Sequence, residues 1–397
     1  MDQDTTRRRL SLRDQLDCVP VFVVWELTLG CNLKCLHCGS RAGHRRAGEL
    51  DTQECIEVVR QLAELGTREI SLIGGEAFIR KDWLTIIRAI REHGIDCMMQ
   101  TGGYKLSAAM IEAGVDAGLQ GIGVSIDGLE TLHDRLRGVR GSYAEAMRVL
   151  DTARRLGLVT SVNTQIGAAI MPELPGLLDA IVEVGARYWH IALTVAMGNA
   201  VDNDDILLQP YQLGDLMPLL ADLYRKGGEQ DLMLIPSNNL GYFGPYDALW
   251  RGPQRGNYSG CPAGQNIIGL EADGTVKGCP SLATERYGAG SARDTPVATL
   301  WTEHPALQFN RERGNEGLWG YCGECYYAEV CRGGCTWMTD SLFGRRGNNP
   351  YCHYRVLKLA ERGIRERIAK VEAAGSRSFA TGRFALIEEP IPQGGVS

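Results

Sequence analysis

Two rhythms of apolar and polar positions take turns along residues 21–226. Short strand-like runs appear at Val21–Leu27, Glu69–Ile73, Asp96–Gln100, Gly121–Ile126, Val159–Gln165 and Tyr188–Val195. After each comes a stretch with apolar residues three and four apart: Thr52–Leu65, Trp83–Glu92, Ser107–Ala117, Tyr143–Leu156, Leu174–Val184 and Tyr211–Lys226. Asp51 stands where an N-cap belongs, ahead of Thr52. Six βα units in series predict a parallel sheet with right-handed crossovers. No Rossmann glycine fingerprint accompanies them, so the expected class is α/β, a partial (β/α)6 TIM-like barrel.

Near residue 227 the pattern fades. Residues 236–262 are rich in Pro, Gly, Asn and Tyr, as a linker or a substrate-facing loop would be. From 261 to 352 periodicity is weak and cysteines dominate; a fold of that kind is often held by metal. Leu357–Ala373 reads as a closing helix, and the chain from Gly375 as irregular. The expected division is an N-terminal extension at 1–20, the barrel at 21–230, a linker at 231–260, a small cysteine-rich domain at 261–365 and a tail at 366–397.

Composition narrows the chemistry. The formal net charge of −6 gives no global basic field for nucleic acid or anionic lipid. No apolar run reaches a membrane span, and Met1–Asp17 lacks the apolar core of a signal peptide, so a cytoplasmic protein is expected. Its 13 cysteines are too many for disulfides in a reducing compartment. Three fall between 31 and 38 and seven between 261 and 352, the clustering of metal ligands.

The first set, Cys31-x3-Cys35-x2-Cys38, lies in the loop after the first strand. Three thiolates can hold three irons of a [4Fe–4S] cluster and leave the fourth open. An open metal position is a substrate site, as in catalytic zinc proteins. A structural zinc site is the alternative; it wants a fourth ligand, and His37 lies between two of the cysteines.

This spacing resembles the signature of the radical S-adenosylmethionine superfamily. The resemblance implies that the methionine end of S-adenosylmethionine chelates the open iron. One electron then cleaves it to a 5′-deoxyadenosyl radical, which takes hydrogen from a substrate. The ends of the later strands, where βα loops converge, carry matching residues. Gly74-Gly75-Glu76 resembles the family's Gly-Gly-Glu motif for the methionine amino group, with Ala77 in place of the usual proline. Thr101-Gly102-Gly103 stands where the family often has Thr-Asn-Gly. Ser125, in Ser125-Ile126-Asp127-Gly128, resembles the ribose or carboxylate contact; Arg137 resembles a carboxylate partner. Asn163 ends the fifth strand, and Thr194 to Asn199, with Met197, resembles the adenine-contacting stretch. His37 and Asp127 join these as expected cofactor contacts.

The second set reads Cys261-x12-Gly274-x4-Cys279, then Cys322-x2-Cys325-x5-Cys331-x3-Cys335, then Cys352. It resembles the seven-cysteine SPASM domain, which implies two auxiliary [4Fe–4S] clusters. Carried over, Cys322, Cys325, Cys331 and Cys352 would hold the outer one; Cys261, Cys279 and Cys335 would hold the inner one, with no obvious fourth cysteine. Cys18, Cys55 and Cys97 read as spare thiols.

Most enzymes of this kind modify a ribosomally made peptide. That makes a precursor peptide the expected substrate, a flavodoxin- or ferredoxin-type protein the expected reductant, and a separate leader-recognition protein a candidate partner. Pro280 stands where sulfatase maturases place an aspartate, which argues against formylglycine formation. A tetrapyrrole or other small-molecule substrate is the alternative, and a non-catalytic electron carrier the alternative of another class. The Asn238–Tyr246 loop is either a channel wall or a packed linker, and Arg41, His44, Arg45 and Arg46 either dock a reductant or form a solvated loop.

Overall fold

Among the described residues of the computed structural model (10–251, 258–311 and 313–392), the alternating pattern folds into a nine-stranded sheet. Parts of the N-terminal extension, of the 236–262 stretch and of the tail lie outside those residues. The strands are β1 (Phe22–Thr28), β2 (Glu69–Gly74), β3 (Asp96–Thr101), β4 (Gly121–Ser125), β5 (Val159–Ile166), β6 (Tyr188–Leu193), β7 (Met233–Pro236), β8 (Ile267–Leu270) and β9 (Val276–Lys277). Their order is β7-β6-β5-β4-β3-β2-β1-β8-β9, parallel throughout except for β9.

The helices cover one face. Thr52–Glu64 starts on Asp51, whose carboxylate accepts from the Glu54 N–H, and buries Cys55, Val58, Val59 and Leu62. Trp83–Glu92 buries Ile86, Ile87 and Ile90, and Ser142–Arg155 buries Val149 and Leu150. Each such side chain stabilises by about 1.5–3 kcal/mol. The opposite, inner face carries Val24, Met98 and Val159 in one row and becomes polar toward the strand ends. On β5, Thr160, Val162, Thr164 and Ile166 are buried, whereas Ser161, Asn163 and Gln165 are half-buried. Register puts Gln100, Gly123 and Ser161 side by side, and Ser125, Asn163 and His190 in the next row.

The sheet extends beyond the six expected strands. β7 arises from the stretch expected to be a linker and pairs with β6. β8 comes from the cysteine-rich region, yet it lies parallel to β1, Phe22 opposite Ile267 and Trp25 opposite Leu270.

The C-terminus departs from expectation. The closing helix spans only His353–Ala360, and Gly363, at φ +69°, turns the chain. Residues expected to continue that helix form β10 (Ile364–Glu372), and the supposed irregular tail contains β11 (Arg383–Pro390), its antiparallel partner. Glu366 and Ile368 are buried between half-buried neighbours, a period of two that the charged residues of the sequence hide.

Candidate functional site

The loop after β1 has no regular structure, so its backbone groups must find partners elsewhere. Helix Glu130–Arg137 supplies two: its last carbonyls, orphaned by the helix end, accept from Lys34 N–H (3.0 Å) and Leu36 N–H (2.8 Å). The turn after β6 supplies three more. Asn199 N–H donates to the Cys38 carbonyl (3.0 Å), its side-chain amide to the Cys35 carbonyl (2.9 Å), and the Asn203 amide to the Leu36 carbonyl (3.1 Å). Gly198, at φ +57°, lies so close to the Cys38 carbonyl that a Cβ would stand 2.5 Å from it. Cys31, Cys35 and Cys38 are thus fixed in one loop by backbone contacts.

Below the loop sits a buried ionic group. The Asp127 carboxylate, fully enclosed, meets His37 Nε2 at 3.0 Å and Arg137 Nη2 at 2.5 Å and accepts from Gln165 N–H at 2.8 Å. Burial alone would raise Asp127, but Arg137 and His37 outweigh it and hold the carboxyl well below the usual range. Arg137 therefore serves Asp127 in the structure, while its Nη1 lies 3.6 Å from Cys35 Sγ.

Glu76, 1 % exposed, accepts from Thr101 Oγ1 (2.5 Å) and Gly102 N–H (2.7 Å). Burial pushes it up to about 7 despite those bonds. Its N–H donates to the Gly30 carbonyl, and the Gly75 N–H to the Thr28 carbonyl, so Gly74-Gly75-Glu76 lies against the start of the cysteine loop. Ser125 and Asn163 are partners in register, and Asn163 Nδ2 donates to Gln100 Oε1. Thr194 bonds the Gln165 carbonyl, and Met197 packs beside Gly39. Should Glu76 receive the amino group of S-adenosylmethionine, as the resemblance implies, replacing it with Ala weakens binding by about 1.5–3 kcal/mol, the worth of a hydrogen bond to a charged group. That is roughly ten- to hundredfold in Kd, and an unchanged Kd by calorimetry removes Glu76 from the site.

The later cysteines gather in two places. Cys322, Cys325, Cys331 and Cys352 line one small cavity with Tyr242, Phe243, Asn349 and Arg355. Cys261, Cys279 and Cys335 lie within electrostatic reach of one another. The Tyr242 hydroxyl donates to the Asn238 carbonyl (2.6 Å) and accepts from Cys335 N–H (3.2 Å), while its ring faces the four-cysteine cavity. Tyr242 of the 238–246 loop therefore touches both cysteine sets, a placement more specific than the channel wall or packed linker that the sequence leaves open. Cys55 and Cys97 are buried in a helix and in β3, far in sequence from either set.

Do these residues fit iron–sulfur clusters? Among the described residues, no three Cys, His, Asp or Glu side chains converge tightly enough for a single metal ion. A four-iron cube, by contrast, takes its thiolates at separate corners. Burial pushes the Cys31 thiol up to about 12, with the Glu76 charge adding to it, and Cys331 to about 12. It also lifts Cys35 to about 11, against Arg137, and Cys279 to about 11. Such thiols ionise only beside a strong cation. Buried polar atoms without partners also stand beside the cysteines: Arg137 Nε near Cys35, Asn349 Nδ2 and Arg355 Nε at the four-cysteine cavity, Arg313 Nη2 and Tyr258 OH near Cys261. Each is a donor, which suits the sulfides of a bound cluster.

Arg41 is bound to Asp202 (2.5 Å) and Asn199 (2.8 Å), and Arg46 to Glu26 (2.7 Å) and Glu271 (3.2 Å). Both arginines are thus held in ion pairs within the chain. No helix among the described residues is long and apolar enough to cross a membrane.

Comparison with known proteins supplies the context. Residues 25–183 match the family model of the radical SAM superfamily, and residues 261–326 that of the SPASM iron–sulfur cluster-binding domain. The AdoMet-dependent heme synthase of Methanosarcina barkeri is 28 % identical over 349 residues, covering 85 % of this chain and 97 % of that protein. The PqqA peptide cyclase of Methylorubrum extorquens is 26 % identical over 362 residues, covering 89 % of each. The crystal structure of Streptococcus suis SuiB bound to its precursor peptide SuiA superposes with a TM-score of 0.64 at 17 % identity, over 84 % of this chain and 75 % of that one; this likeness concerns the fold. A three-cysteine loop held at the mouth of a partial barrel and matched by that family model leaves little freedom of interpretation: the chain belongs to the radical S-adenosylmethionine superfamily and is an enzyme of it, with a SPASM domain after the barrel.

Proposed function

We propose that this enzyme modifies a ribosomally made peptide, using a radical started at Cys31, Cys35 and Cys38. The observation that carries the reading is the inner face of the sheet. Gln100, Ser161, Gln165 and His190 present amides, a hydroxyl and an imidazole there. Such groups suit a peptide backbone, with its alternating donors and acceptors. A tetrapyrrole with several carboxylates calls for uncommitted cations. Arg46 and Lys277, beside the inner-face residue Glu26, are instead bound to Glu26 and Glu271.

In this reading Cys31, Cys35 and Cys38 would hold a four-iron cluster, which would supply the electron for cleavage of S-adenosylmethionine. The protein's own groups do the positioning. Glu76 receives the amino end of the cofactor, Ser125 and Asn163 its polar middle, and Met197 its base. Asp127 and Arg137 hold His37 and the underside of the loop. Cys322, Cys325, Cys331 and Cys352 would hold one auxiliary [4Fe–4S] cluster, and Cys261, Cys279 and Cys335 a second. A flavodoxin- or ferredoxin-type protein supplies the electrons, and a separate leader-recognition protein helps bring the peptide in.

A second reading, a tetrapyrrole substrate, draws on one observation: the heme synthase aligns over 97 % of its own length. Incubation with a precursor peptide encoded beside the gene, and separately with a porphyrin, decides between them. A peptide mass lowered by a pair of hydrogens, or by lost carboxyl, supports the first reading; an unchanged peptide and a converted porphyrin overturn it. Independently, anaerobic reconstitution should give about twelve irons per chain, four for each of three clusters. A value near four by iron analysis overturns the two auxiliary clusters.

A further inference from the structure

The β10–β11 hairpin reaches back to the end of β6. Thr381, at its turn, forms an antiparallel bridge with Met197, and the Gly198 N–H donates to the Ala380 carbonyl (2.8 Å). Lys370 on β10 donates to the Val201 carbonyl (2.9 Å) and pairs with Asp204 (2.5 Å). Beside the bridge, the Phe379 ring lies 3.9 Å from Lys277 Nζ and 5.8 Å from the Arg46 guanidinium. Its backbone sits at φ +56°, where an aromatic residue is rarely held without a compensating contact.

The segment gripped in this way is the one that holds the cysteine loop. Two consecutive amides face opposite ways: Gly198 N–H goes to the hairpin, and Asn199 N–H to the Cys38 carbonyl. Met197 meanwhile packs beside Gly39. A shift of the hairpin turn therefore passes through one peptide unit to the loop.

We propose that the C-terminal hairpin is a strap that positions Met197 and Gly198 against Cys38 and Gly39, and thereby sets the affinity of the S-adenosylmethionine pocket. The inference rests on the reading of Met197 as a pocket residue. Phe379, Ala380 and Thr381 are positioning residues in it and touch no cofactor themselves.

The test uses the full-length, anaerobically reconstituted enzyme and Gly382→Leu. A Cβ at Gly382 would stand 2.7 Å from Val201 Cγ1 and 2.5 Å from the Glu372 carbonyl oxygen, so the turn must lift. Phe379→Ala, which removes the anchor without adding bulk, is the second variant should the first not fold. Met197→Ala tests the pocket reading itself. The readouts are the Kd for S-adenosylmethionine and the change in the reduced cluster's EPR spectrum when it is added, at unchanged iron content. We expect roughly tenfold or weaker binding and a diminished spectral change in the strap variants and in Met197→Ala. If Met197→Ala weakens binding and both strap variants bind as the parent does, the strap is wrong and the pocket reading stands. If Met197→Ala binds normally, the pocket reading fails, and the strap with it, whatever the strap variants do.

Discussion

Changing Cys31, Cys35 and Cys38 together to Ala is expected to abolish formation of 5′-deoxyadenosine from S-adenosylmethionine while leaving about eight of about twelve irons per chain. The three thiols sit in a single loop whose backbone is pinned by Arg137, Leu136, Asn199 and Asn203, so their removal leaves that frame intact. The later cysteines belong to other elements and line other spaces. Loss of all iron would mean that the sites are not independent. Retained 5′-deoxyadenosine would mean that cleavage occurs elsewhere. Iron and sulfide analysis beside chromatography of the nucleoside separates these outcomes.

Asp127→Ala is expected to be the most damaging single substitution, destabilising the fold by about 3–5 kcal/mol. It leaves Arg137 and His37 facing each other in a space from which water is excluded, with no carboxylate between them. The effect depends on pH in a definite direction. Asp127 is held below its ordinary range in the folded chain, so its contribution is complete above the ordinary carboxylate pKa and fades as pH falls through the folded value. Urea titrations should therefore show the gap between parent and variant wide near neutrality and narrowing in acid. A gap that stays constant into acid would deny the ion group its role.

Much of this was legible in the sequence because the signals were local. Trp83–Glu92 was bounded correctly since its apolar spacing lies within it and Asp82, His93 and Gly94 stand at its ends. The cysteine sets were legible because ligand spacing is a local property of a loop. What escaped notice depends on contacts between distant residues. β7 and β8 are only four residues each and gain their identity by pairing with β6 and β1. β10 was lost because charged residues interrupt its apolar positions and a helix precedes it. The role of Tyr242 also escaped, since one hydroxyl joining Asn238 to Cys335 is a tertiary fact. Arg137 was expected to meet the cofactor; only the fold shows that its Nη2 also pairs with Asp127, ten residues earlier.

The position of β8 bears on how such a protein can be inherited. Because the first strand of the barrel is flanked on one side by a strand from the second region, a gene cut at residue 230 would encode a sheet with β1 as a bare edge. An edge of that kind, alternating buried Val23, Trp25 and Leu27, is a template for aggregation. The barrel and the SPASM region are therefore expected to pass through evolution as one piece. Recombination in this lineage should fall outside residues 22–277 more readily than between the two regions that the family models separate.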